Sequence, residues 1–288
     1  MKKSLLLIPI ISLLFSCKED TTPSWLEITS IDLLTDETTE GSDSHSIKDA
    51  WVYMDNTPLG AFELPCKIPI LAEGPHNFSI YAGIQINGIN ASRTRYPFYE
   101  SFDTVITLIK KETITIAPVV TYKKNLNFVL KEDFENIGIS FLPAFNSLTN
   151  LVFVKEVDFP NIVQFGNSCG GIFLTSADSL YKGITHSFLN LPNGEDVFME
   201  IDFMSDNSSV MGVISQNSSD YLEHNPLAGM NRQHKDSMVW KKMYIGLTED
   251  VSFHTSATSH EIYLLSILDN DHSTGVIYLD NIKIICYQ

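Results

Sequence analysis

The sequence predicts an all-β protein that contains two β sandwiches. Short runs rich in isoleucine, valine, threonine, phenylalanine and tyrosine recur along the chain, separated by Gly, Pro, Asn, Asp and Ser. No window of about 15 residues shows the 3.6-residue apolar period of an amphipathic helix. The stretch from Cys17 to Gln288 is long enough for two domains.

The first predicted sandwich follows a polar start. Residues 17–46 are expected to be a tether with a first strand in "SWLEITSIDLL", and the acidic "TDETTEGSDSHS" is expected to be a mobile loop. Residues 47–127 contain six or seven short strand patterns, which indicate a small immunoglobulin-like sandwich. A hairpin is predicted, with strands at 51–55 and 59–64 and a turn at Asp55-Asn56. A second strand–turn–strand unit is expected around "IPILAEGPHNFSIYAGI".

The second predicted sandwich spans residues 128–288. The stretches "VFMEIDFM", "MVWKKMYIGL", "EIYLLSIL" and "GVIYLDNIKII" each alternate or run apolar for the length of a strand. The opening "EDFE" at 132–135 and the closing "YLDNIKI" resemble the first and last strands of carbohydrate-binding-module or galactose-binding-like jelly rolls. The sequence therefore predicts a jelly-roll β sandwich after the immunoglobulin-like one.

The jelly-roll resemblance implies a structural calcium ion between the first and last strands. The ligands would be a carboxylate near the opening and the aspartate of the closing strand, which correspond to Glu135 and Asp280. Calcium prefers six to eight oxygen ligands from carboxylates and carbonyls. The alternative is that Asp280 and Asn281 cap a turn while Glu135 is solvated.

The N-terminus has the pattern of a secretory signal. Lys2 and Lys3 precede an apolar run at 5–15, which is too short for a transmembrane span of about 20 residues. The following "LFSC" resembles a bacterial lipobox, which implies cleavage of residues 1–16 and lipidation of Cys17. No other run in the chain is long and apolar enough to cross a bilayer, so lipid would be the membrane anchor.

The triplet after the cysteine adds a second expectation about location. Lys18, Glu19 and Asp20 resemble the export signal that directs Bacteroidota lipoproteins to the outer face of the outer membrane. The alternative is an ordinary solvated tether. The stretches "DAWVYMDNTPLGAFELP", "IPILAEGPHNFSIYAGIQINGINASRTRYPFYE" and "ITIAPVVTY", within residues 47–135, also resemble accessory lipoproteins of Bacteroidota. That family carries no catalytic motif.

Charge and cysteine content exclude several classes of function. The chain has a net charge of −16, and loss of Lys2 and Lys3 with the signal leaves 17 basic against 35 acidic residues. This charge disfavours binding to nucleic acid or adhesion to anionic lipid. After Cys17 three cysteines remain, Cys66, Cys169 and Cys286, and their spacing matches no zinc motif. They are interpreted as small buried apolar residues.

Two patterns that suggest catalysis or metal binding are weak. Residues 166–170 fit the G-x-S-x-G motif of serine hydrolases, but "GIFLTSADSLYKG" follows as a strand and turn where that motif needs a helix. His224 with His234, or His254 with His260, could bind metal, but neither pair has helical i, i+4 spacing. These histidines are expected to be solvated. No catalytic residue is predicted, and no cofactor is required.

Candidate binding residues were sought among the aromatic side chains. Trp51 and Trp240 lie within strand patterns and are expected in the cores, so aromatic side chains for sugar stacking are scarce. The stretch at 93–99 is unusual on an acidic protein, since arginine and aromatic residues are enriched at protein interfaces. Its predicted partner-binding residues are Arg93, Arg95, Tyr96, Phe98 and Tyr99. The alternative is that this loop packs on its own sandwich.

The sequence favours a non-enzymatic, lipid-anchored and surface-exposed lipoprotein. Its expected role is an accessory or scaffold subunit of an outer-membrane complex of the barrel-assembly or type-nine secretion class. The expected partners are an outer-membrane barrel protein and other lipoproteins. The alternative is a glycan-binding surface lipoprotein of a nutrient-uptake system, which exposed, coplanar aromatic rings on the second domain would favour.

Overall fold

The computed structural model describes residues 22–186, 188 and 191–288, and these residues form two β-sheet units. Strands account for 53% of the structure and helices for 5%, which confirms the all-β prediction. The predicted lipidation and export residues, 17–20, lie outside the described residues. In the described part of the chain, no helix is long and apolar enough to cross a membrane.

The first unit contains ten strands and one short helix. These are β1 (Ser24–Ile28), β2 (Asp32–Leu34), α1 (Glu37–Glu40), β3 (Asp49–Met54), β4 (Thr57–Glu63), β5 (Cys66–Ile70), β6 (Gly74–Gln85), β7 (Arg93–Arg95), β8 (Phe102–Leu108), β9 (Thr113–Ile116) and β10 (Val119–Thr121). One sheet has the order β4-β3-β6-β7, and β8 also pairs with β6. The opposite side is formed by β5-β1-β9 and by the pair β10-β2.

The predicted hairpin at the start of this unit is confirmed. β3 and β4 pair antiparallel, and Asp55 and Asn56 between them have φ of 48° and 64°. Two central residues with positive φ are typical of the type I′ turn, whose twist matches that of the flanking strands. The second expected strand–turn–strand unit is not a hairpin, because β5 pairs with β1 whereas β6 pairs with β3 and β8.

The acidic start of the chain is more ordered than the sequence indicates. β1 pairs parallel with β9 and β2 parallel with β10, so both strands belong to the first unit. The stretch expected to be a mobile loop contains helix α1, whose first turn is capped by the Asp36 side chain accepting from the Thr38 N–H at 3.0 Å. The first strand expected in "SWLEITSIDLL" is therefore present as β1, whereas the expected mobile loop is wrong where α1 forms.

The second unit contains twelve strands, one α-helix and a 3-10 helix within the described residues. These are β11 (Leu126–Glu132), β12 (Phe141–Pro143), β13 (Leu151–Lys155), β14 (Ser168–Thr175), β15 (Leu180–Thr185), β16 (Val197–Ser205), β17 (Ser209–Gln216), β18 (Tyr221–Glu223), β19 (Ala228–Met230), the 3-10 helix Lys235–Ser237, β20 (Lys241–Gly246), α2 (Thr248–Phe253), β21 (Ser259–Ile267) and β22 (Thr274–Tyr287).

These strands form two sheets that pack face to face. The sheet that contacts the first unit, called here the junction sheet, has the order β13-β14-β22-β16-β20, with β11 also paired to β22. The opposite sheet, called the outer sheet, has the order β12-β15-β21-β17-β18, with β19 also paired to β17. Apolar side chains from both sheets, such as Ile201, Val213, Leu264 and Ile282, fill the space between them.

The two units share a continuous apolar contact. Phe198, Tyr244 and Ile285 project from the junction sheet and pack in the same buried cluster as the core of the first unit. A backbone bond also joins the units, from the Asn87 N–H to the Tyr244 carbonyl at 2.8 Å. The outer face of the junction sheet is therefore partly covered by the first unit.

Candidate functional site

The loop predicted to bind a partner protein lies between the two units. Tyr96, Phe98 and Tyr99 are only 3%, 0% and 2% exposed. The Tyr96 ring packs edge-on against Phe198 of the junction sheet, with ring centroids 5.4 Å apart. The partner-binding prediction is therefore wrong for these three rings, because they are already buried against the second unit of the same chain.

The two arginines of this stretch are held on the surface of the first unit. The Arg93 guanidinium donates to Asp49 Oδ1 at 2.5 Å and to Glu63 Oε1 at 3.3 Å. The Arg95 guanidinium lies over the Tyr81 ring, 4.9 Å from its centroid. Both side chains contact their own sandwich in this conformation, and Arg95 remains exposed, so partner binding by the two arginines stays a prediction.

Charged groups of the junction sheet are buried beneath these rings. The hydroxyls of Tyr96 and Tyr122 donate to Glu200 Oε1 at 2.7 and 2.8 Å, and Lys242 Nζ lies 3.3 Å from Glu200 Oε2. Burial by itself would raise the pKa of Glu200, but Lys242, Lys283 and the two hydroxyls together lower it. Burial also lowers the pKa of Lys283 to about 8.

A cleft opens where the two units meet, and we call it the junction cleft. Its volume is about 710 Å³. The first unit contributes Gln85 at the end of β6 and Asn87 in the loop that follows. The second unit contributes Asn231, Trp240 and Lys241. This volume lies within the range of about 300–1,000 Å³ that is usual for small-ligand sites.

The junction cleft combines aromatic and polar groups: Phe203 and Tyr244 of its lining are buried, whereas Trp240 is more exposed. Trp240 is half-buried, and its indole N–H donates to the Ile162 carbonyl at 2.8 Å, which fixes the ring. Asn231 and Lys241 are exposed at the mouth, and Gln85 is half-buried. Amide and ammonium groups can form hydrogen bonds with sugar hydroxyls, and the neighbouring indole ring can stack on the face of a sugar. Trp240 was predicted to be a core residue, so its position in the cleft corrects that interpretation.

The polar residues of the cleft give little signal in the sequence. Asn87-Gly88 is an ordinary turn dipeptide, and Asn87 has a φ of 56° that such turns require. Its side chain accepts the Gly246 N–H at 3.0 Å, so it also joins the two units. Only the docking of the units brings Gln85 and Trp240, far apart in the chain, to one cleft.

The two residues predicted to bind calcium line one acidic pocket. Glu135 and Asp280 share a pocket of about 350 Å³ with Asp43, Asp133 and Asn281. Glu135 is exposed, and its carboxylate accepts the N–H groups of Asn167 at 2.6 Å and Ser168 at 2.8 Å. These bonds lower the pKa of Glu135 despite the opposing effect of burial.

Asp280 is the better candidate for a cation ligand. It is buried, and its Oδ1 accepts the Asn281 N–H at 2.7 Å. Its Oδ2 is buried too and has no hydrogen-bond partner among the described residues. Burial, with the nearby carboxylates of Asp202, Asp133 and Glu135, raises the pKa of Asp280 to about 8, although the bond from the Asn281 N–H opposes this. A cation would compensate this buried oxygen, so the residues present fit the expected ion.

In the described part of the chain, a different acidic group has three possible metal ligands close together. Asp269, Asp271 and His272 bring one ligand atom each within 4.8 Å of one another. Arg232 occupies that group, with its two terminal nitrogens 2.6 and 2.9 Å from the oxygens of Asp271. The guanidinium lowers the pKa of Asp271 to about 2. Because a cation already pairs with these carboxylates, this group is not a metal site in this conformation.

Two serines lie in arrangements that suggest a hydrolase, the G-x-S-x-G motif and an Asp-His-Ser order, and both serines are buried. Ser168 of the G-x-S-x-G motif is buried in β14 and donates to the Phe134 carbonyl, which confirms the strand interpretation. Asp250, His224 and Ser215 stand in the order carboxylate, imidazole, hydroxyl, with contacts of 3.2 and 2.9 Å. Ser215 is fully buried, so a substrate cannot reach its hydroxyl.

The sequence predicted the burial of the cysteines better than the burial of the histidines. His224 and His260 were expected to be solvated, and the structure buries both at one end of the outer sheet. Cys169 and Cys286 are buried and Cys66 is half-buried, and all three are free thiols, as predicted. Burial raises the pKa of the Cys169 thiol to about 12, so it is inert at neutral pH.

Comparisons with known proteins find similarity in structure only. No family model matches the sequence, and no curated protein matches it. The carbohydrate-binding module CBM28, specific for non-crystalline cellulose, is 12% identical with a TM-score of 0.40 and covers 55% of this chain and 94% of that chain. A module described among promiscuous carbohydrate-binding modules of the β-sandwich superfamily is 11% identical, with a TM-score of 0.39, and covers 92% and 99%.

Other solved structures have lower scores. The K3 cleaved adhesin domain of Lys-gingipain from Porphyromonas gingivalis is 13% identical, with a TM-score of 0.35, and covers 56% of this chain and 98% of that chain. The enzymatically active domain of tailspike protein 4 from bacteriophage CBA120 is 10% identical, with a TM-score of 0.34. The match covers 53% of this chain and only 20% of the tailspike domain. With TM-scores below 0.5, these likenesses define no ligand for this chain.

Proposed function

We propose that this protein is a non-catalytic glycan-binding lipoprotein with its binding site in the junction cleft. The observation that carries this proposal is the cleft of about 710 Å³ in which Trp240 lies among amide and ammonium groups from both units. A lining that combines polar side chains with the aromatic residues Trp240, Phe203 and Tyr244 suits a polyhydroxylated ligand that also has apolar faces. The burial of Tyr96, Phe98 and Tyr99 removes the main support for a partner-binding role of that loop.

Exposed aromatic rings elsewhere on the second unit provide a rival glycan site. Phe159 and Phe173 stack at 30° with centroids 6.3 Å apart, and they are 43% and 37% exposed. Such a near-parallel pair is the feature expected of a glycan binder. The junction cleft adds polar side chains from both units to its aromatic rings, so we place the main site in the cleft.

The site is tested by a screen of polysaccharides with wild-type protein and three variants. Trp240→Ala should weaken binding about tenfold or more, the scale of a central aromatic contact. Met238→Ala is the matched control, because Met238 packs on the same small cluster as Trp240 but does not line the cleft. Loss of binding in Phe173→Ala and not in Trp240→Ala would move the site to the phenylalanine pair. No binding to any glycan would refute the function.

The proposed location rests on the lipid anchor. We infer that Cys17 carries the lipid and that Lys18, Glu19 and Asp20 direct the protein to the outer face of the outer membrane. Cys17→Ala should leave the protein unanchored or unprocessed, because the sequence offers no second membrane anchor. Replacement of the triplet by neutral residues should preserve lipidation but abolish cleavage by external protease. Membrane sedimentation and protease access distinguish these outcomes.

We also propose a calcium ion at the acidic pocket, with Asp280 as its buried ligand and Glu135 close by. The ion would supply a positive charge that links the closing strand to the opening of the second unit. At a hundredfold excess over its Kd, an ion that binds only the folded state adds about 2.7 kcal/mol of stability. A chelator should therefore lower the melting temperature of the wild type and leave Asp280→Asn unchanged. Purified protein without metal and without a chelator effect would contradict this proposal.

One observation supports a second function, as an accessory subunit of an outer-membrane complex. β12 and β13 are edge strands of the two sheets and contact each other. Their neighbourhood exposes apolar side chains, namely Leu142, Phe145, Leu148, Val152 and Phe153. Exposed apolar groups along unpaired edges are typical of protein interfaces. Co-purification of a stoichiometric outer-membrane barrel protein, lost in Phe145→Asp, would support this second function.

A further inference from the structure

The charge of the junction cleft is opposite in sign to that of the whole chain. Acidic residues outnumber basic ones 35 to 19 in the sequence, and the net charge is −16. The described residues that line the cleft include three lysines, Lys48, Lys241 and Lys242, but no aspartate or glutamate. The acidic pocket around Asp280 has the reverse lining, with five carboxylate residues and no lysine. The cleft is therefore a local positive region on an acidic protein.

Two of these lysines are exposed and have no counter-charge on the chain. Lys48 directly precedes β3 in the first unit, and Lys241 begins β20 in the second, so each wall of the cleft provides one of them. Both side chains are exposed. Among the described residues, neither ammonium group forms an ion pair with a carboxylate. Both charges are therefore available to a ligand in the cleft.

The third lysine and the histidine of the lining contribute less. The Lys242 side chain is 2% exposed, and its Nζ lies 3.3 Å from Glu200 Oε2 and 3.9 Å from Asp202 Oδ2. Its charge is therefore largely compensated by these buried carboxylates. Burial lowers the pKa of His45, and nearby lysines add to this while two aspartates oppose it. The His45 ring is therefore neutral at pH 7, and the two exposed lysines supply the positive charge.

The negative charge of the rest of the chain does not cancel this local charge. Exposed charges that are more than about 8 Å apart are largely screened at physiological ionic strength. The buried carboxylates of Glu200 and Asp202 are already paired with Lys242. Asp32 and Asp43, the two aspartates that act on His45, are exposed to solvent and do not line the cleft. A ligand group inside the cleft therefore interacts mainly with the two exposed ammonium groups.

We propose that the junction cleft binds an acidic glycan whose carboxylate or sulfate groups pair with Lys48 and Lys241, while one of its sugars contacts the Trp240 ring. This assignment rests on the proposed function, glycan binding in the same cleft, and adds the charge of the ligand. An ammonium group has three donors and no acceptor, which suits an anionic oxygen. Charge-assisted hydrogen bonds are about twice as strong as neutral ones. An acidic glycan should therefore bind more tightly than a neutral glycan of the same shape.

The proposal is tested by calorimetric titration of two matched pairs of ligands into the intact chain. The pairs are oligogalacturonate with its methyl ester, and a sulfated galactan oligosaccharide with its desulfated form, so that the two members of a pair differ in charge. In at least one pair the acidic form should bind about tenfold more tightly than the neutral form, the scale of a hydrogen bond to a charged group. The pair with the larger difference identifies carboxylate or sulfate as the preferred anion.

Two double variants assign the preference to the cleft. Lys48→Gln with Lys241→Gln should lose the preference for the acidic form, because it removes both exposed ammonium groups, and should bind the neutral form as the wild type does. The matched control is Lys124→Gln with Lys131→Gln, which removes two exposed lysines from a pocket of about 470 Å³ beside α1. This control should keep the preference. Loss of the preference in the control and not in the cleft variant would overturn the assignment.

The remaining outcomes separate the charge of the ligand from the function itself. Binding of the acidic form should weaken severalfold when NaCl is raised from about 50 to about 500 mM, whereas binding of the neutral form should not, because salt screens only the charge pairs. Equal affinity for both forms, with binding lost in Trp240→Ala, would overturn the charge assignment and leave the proposed function intact. Failure of the wild type to bind any glycan would refute both.

Discussion

The two faces of the junction sheet at β16 are both buried but differ in chemistry. The inner face is apolar, with Met199 and Ile201 packed against the outer sheet. The outer face carries Glu200, Asp202 and Lys283, which are 0%, 2% and 2% exposed. An apolar face can pack against many surfaces, whereas buried charges need groups in particular positions.

The first unit provides those groups. Tyr96 and Tyr122 donate to Glu200, and the Ser42 carbonyl accepts from Lys283 Nζ at 2.8 Å. Matched polar contacts therefore add specificity to the apolar contact that Phe198, Tyr244 and Ile285 make between the two units. This docking also forms the junction cleft, since the cleft has walls from both units.

The largest effect is expected from removing the buried carboxylate. Glu200→Ala leaves Lys242 without its closest counter-charge and the two tyrosine hydroxyls without their acceptor. Loss of one partner of a buried ion pair costs about 3–5 kcal/mol. Denaturant unfolding should show this loss in the intact chain. A loss below about 1 kcal/mol would mean that the charges are not essential to the docking.

A substitution on the apolar face provides the comparison. Ile201→Ala removes a fully buried side chain between the two sheets and should cost about 2–4 kcal/mol. In contrast to Glu200→Ala, this variant should leave the contact between the units intact. Limited proteolysis between the units should therefore accelerate in Glu200→Ala and not in Ile201→Ala. Equal acceleration in both variants would contradict the division of roles between the two faces.

Removal of a single hydroxyl is a smaller change to the contact between the two units. Tyr96→Phe keeps the ring but removes one donor to a charged acceptor, which should cost about 1.5–3 kcal/mol. Tyr221→Phe is the matched control, because Tyr221 is exposed and a change there should cost less than about 0.5 kcal/mol. Thermal unfolding of both variants distinguishes them. Similar melting temperatures would show that the Tyr96 hydroxyl contributes little.

The smallest effect concerns the dependence of stability on pH. The pKa of Glu200 in the folded protein lies below its ordinary value of 4.5, so its ionised form stabilises the fold. This contribution is present above about pH 4.5 and is lost as the pH falls through the folded-state pKa. Glu200→Gln should therefore differ most from the wild type near neutral pH and less in acid. A constant difference in the free energy of unfolding from pH 6 to pH 3 would contradict this view.

The sequence predicted what depends on local pattern. The hairpin of β3 and β4 follows from Asp55-Asn56 and the flanking alternation, and the strands of the second unit follow from their apolar period. The same alternation in "VFMEIDFM" assigns Glu200 and Asp202 to a solvent-facing side of β16. Glu200 is buried beneath Tyr96, which is 104 residues away in sequence and donates to its carboxylate. No local pattern contains that contact.

The candidate sites show the same limit. Glu135 and Asp280 were predicted from resemblance, and the structure places them in one pocket. The junction cleft was missed, because it is assembled from segments that are distant in sequence. Patterns of spacing describe one strand or hairpin, whereas Gln85 and Trp240 meet only where the two units dock.

The central claim is that one glycan contacts both units in the junction cleft. The direct measurement is calorimetric titration of the best glycan from the screen into wild type, Gln85→Ala and Trp240→Ala. Gln85 belongs to the first unit and Trp240 to the second. The affinity should fall about fivefold without the Gln85 amide and about tenfold or more without the Trp240 ring. Unchanged affinity in both variants would contradict the claim.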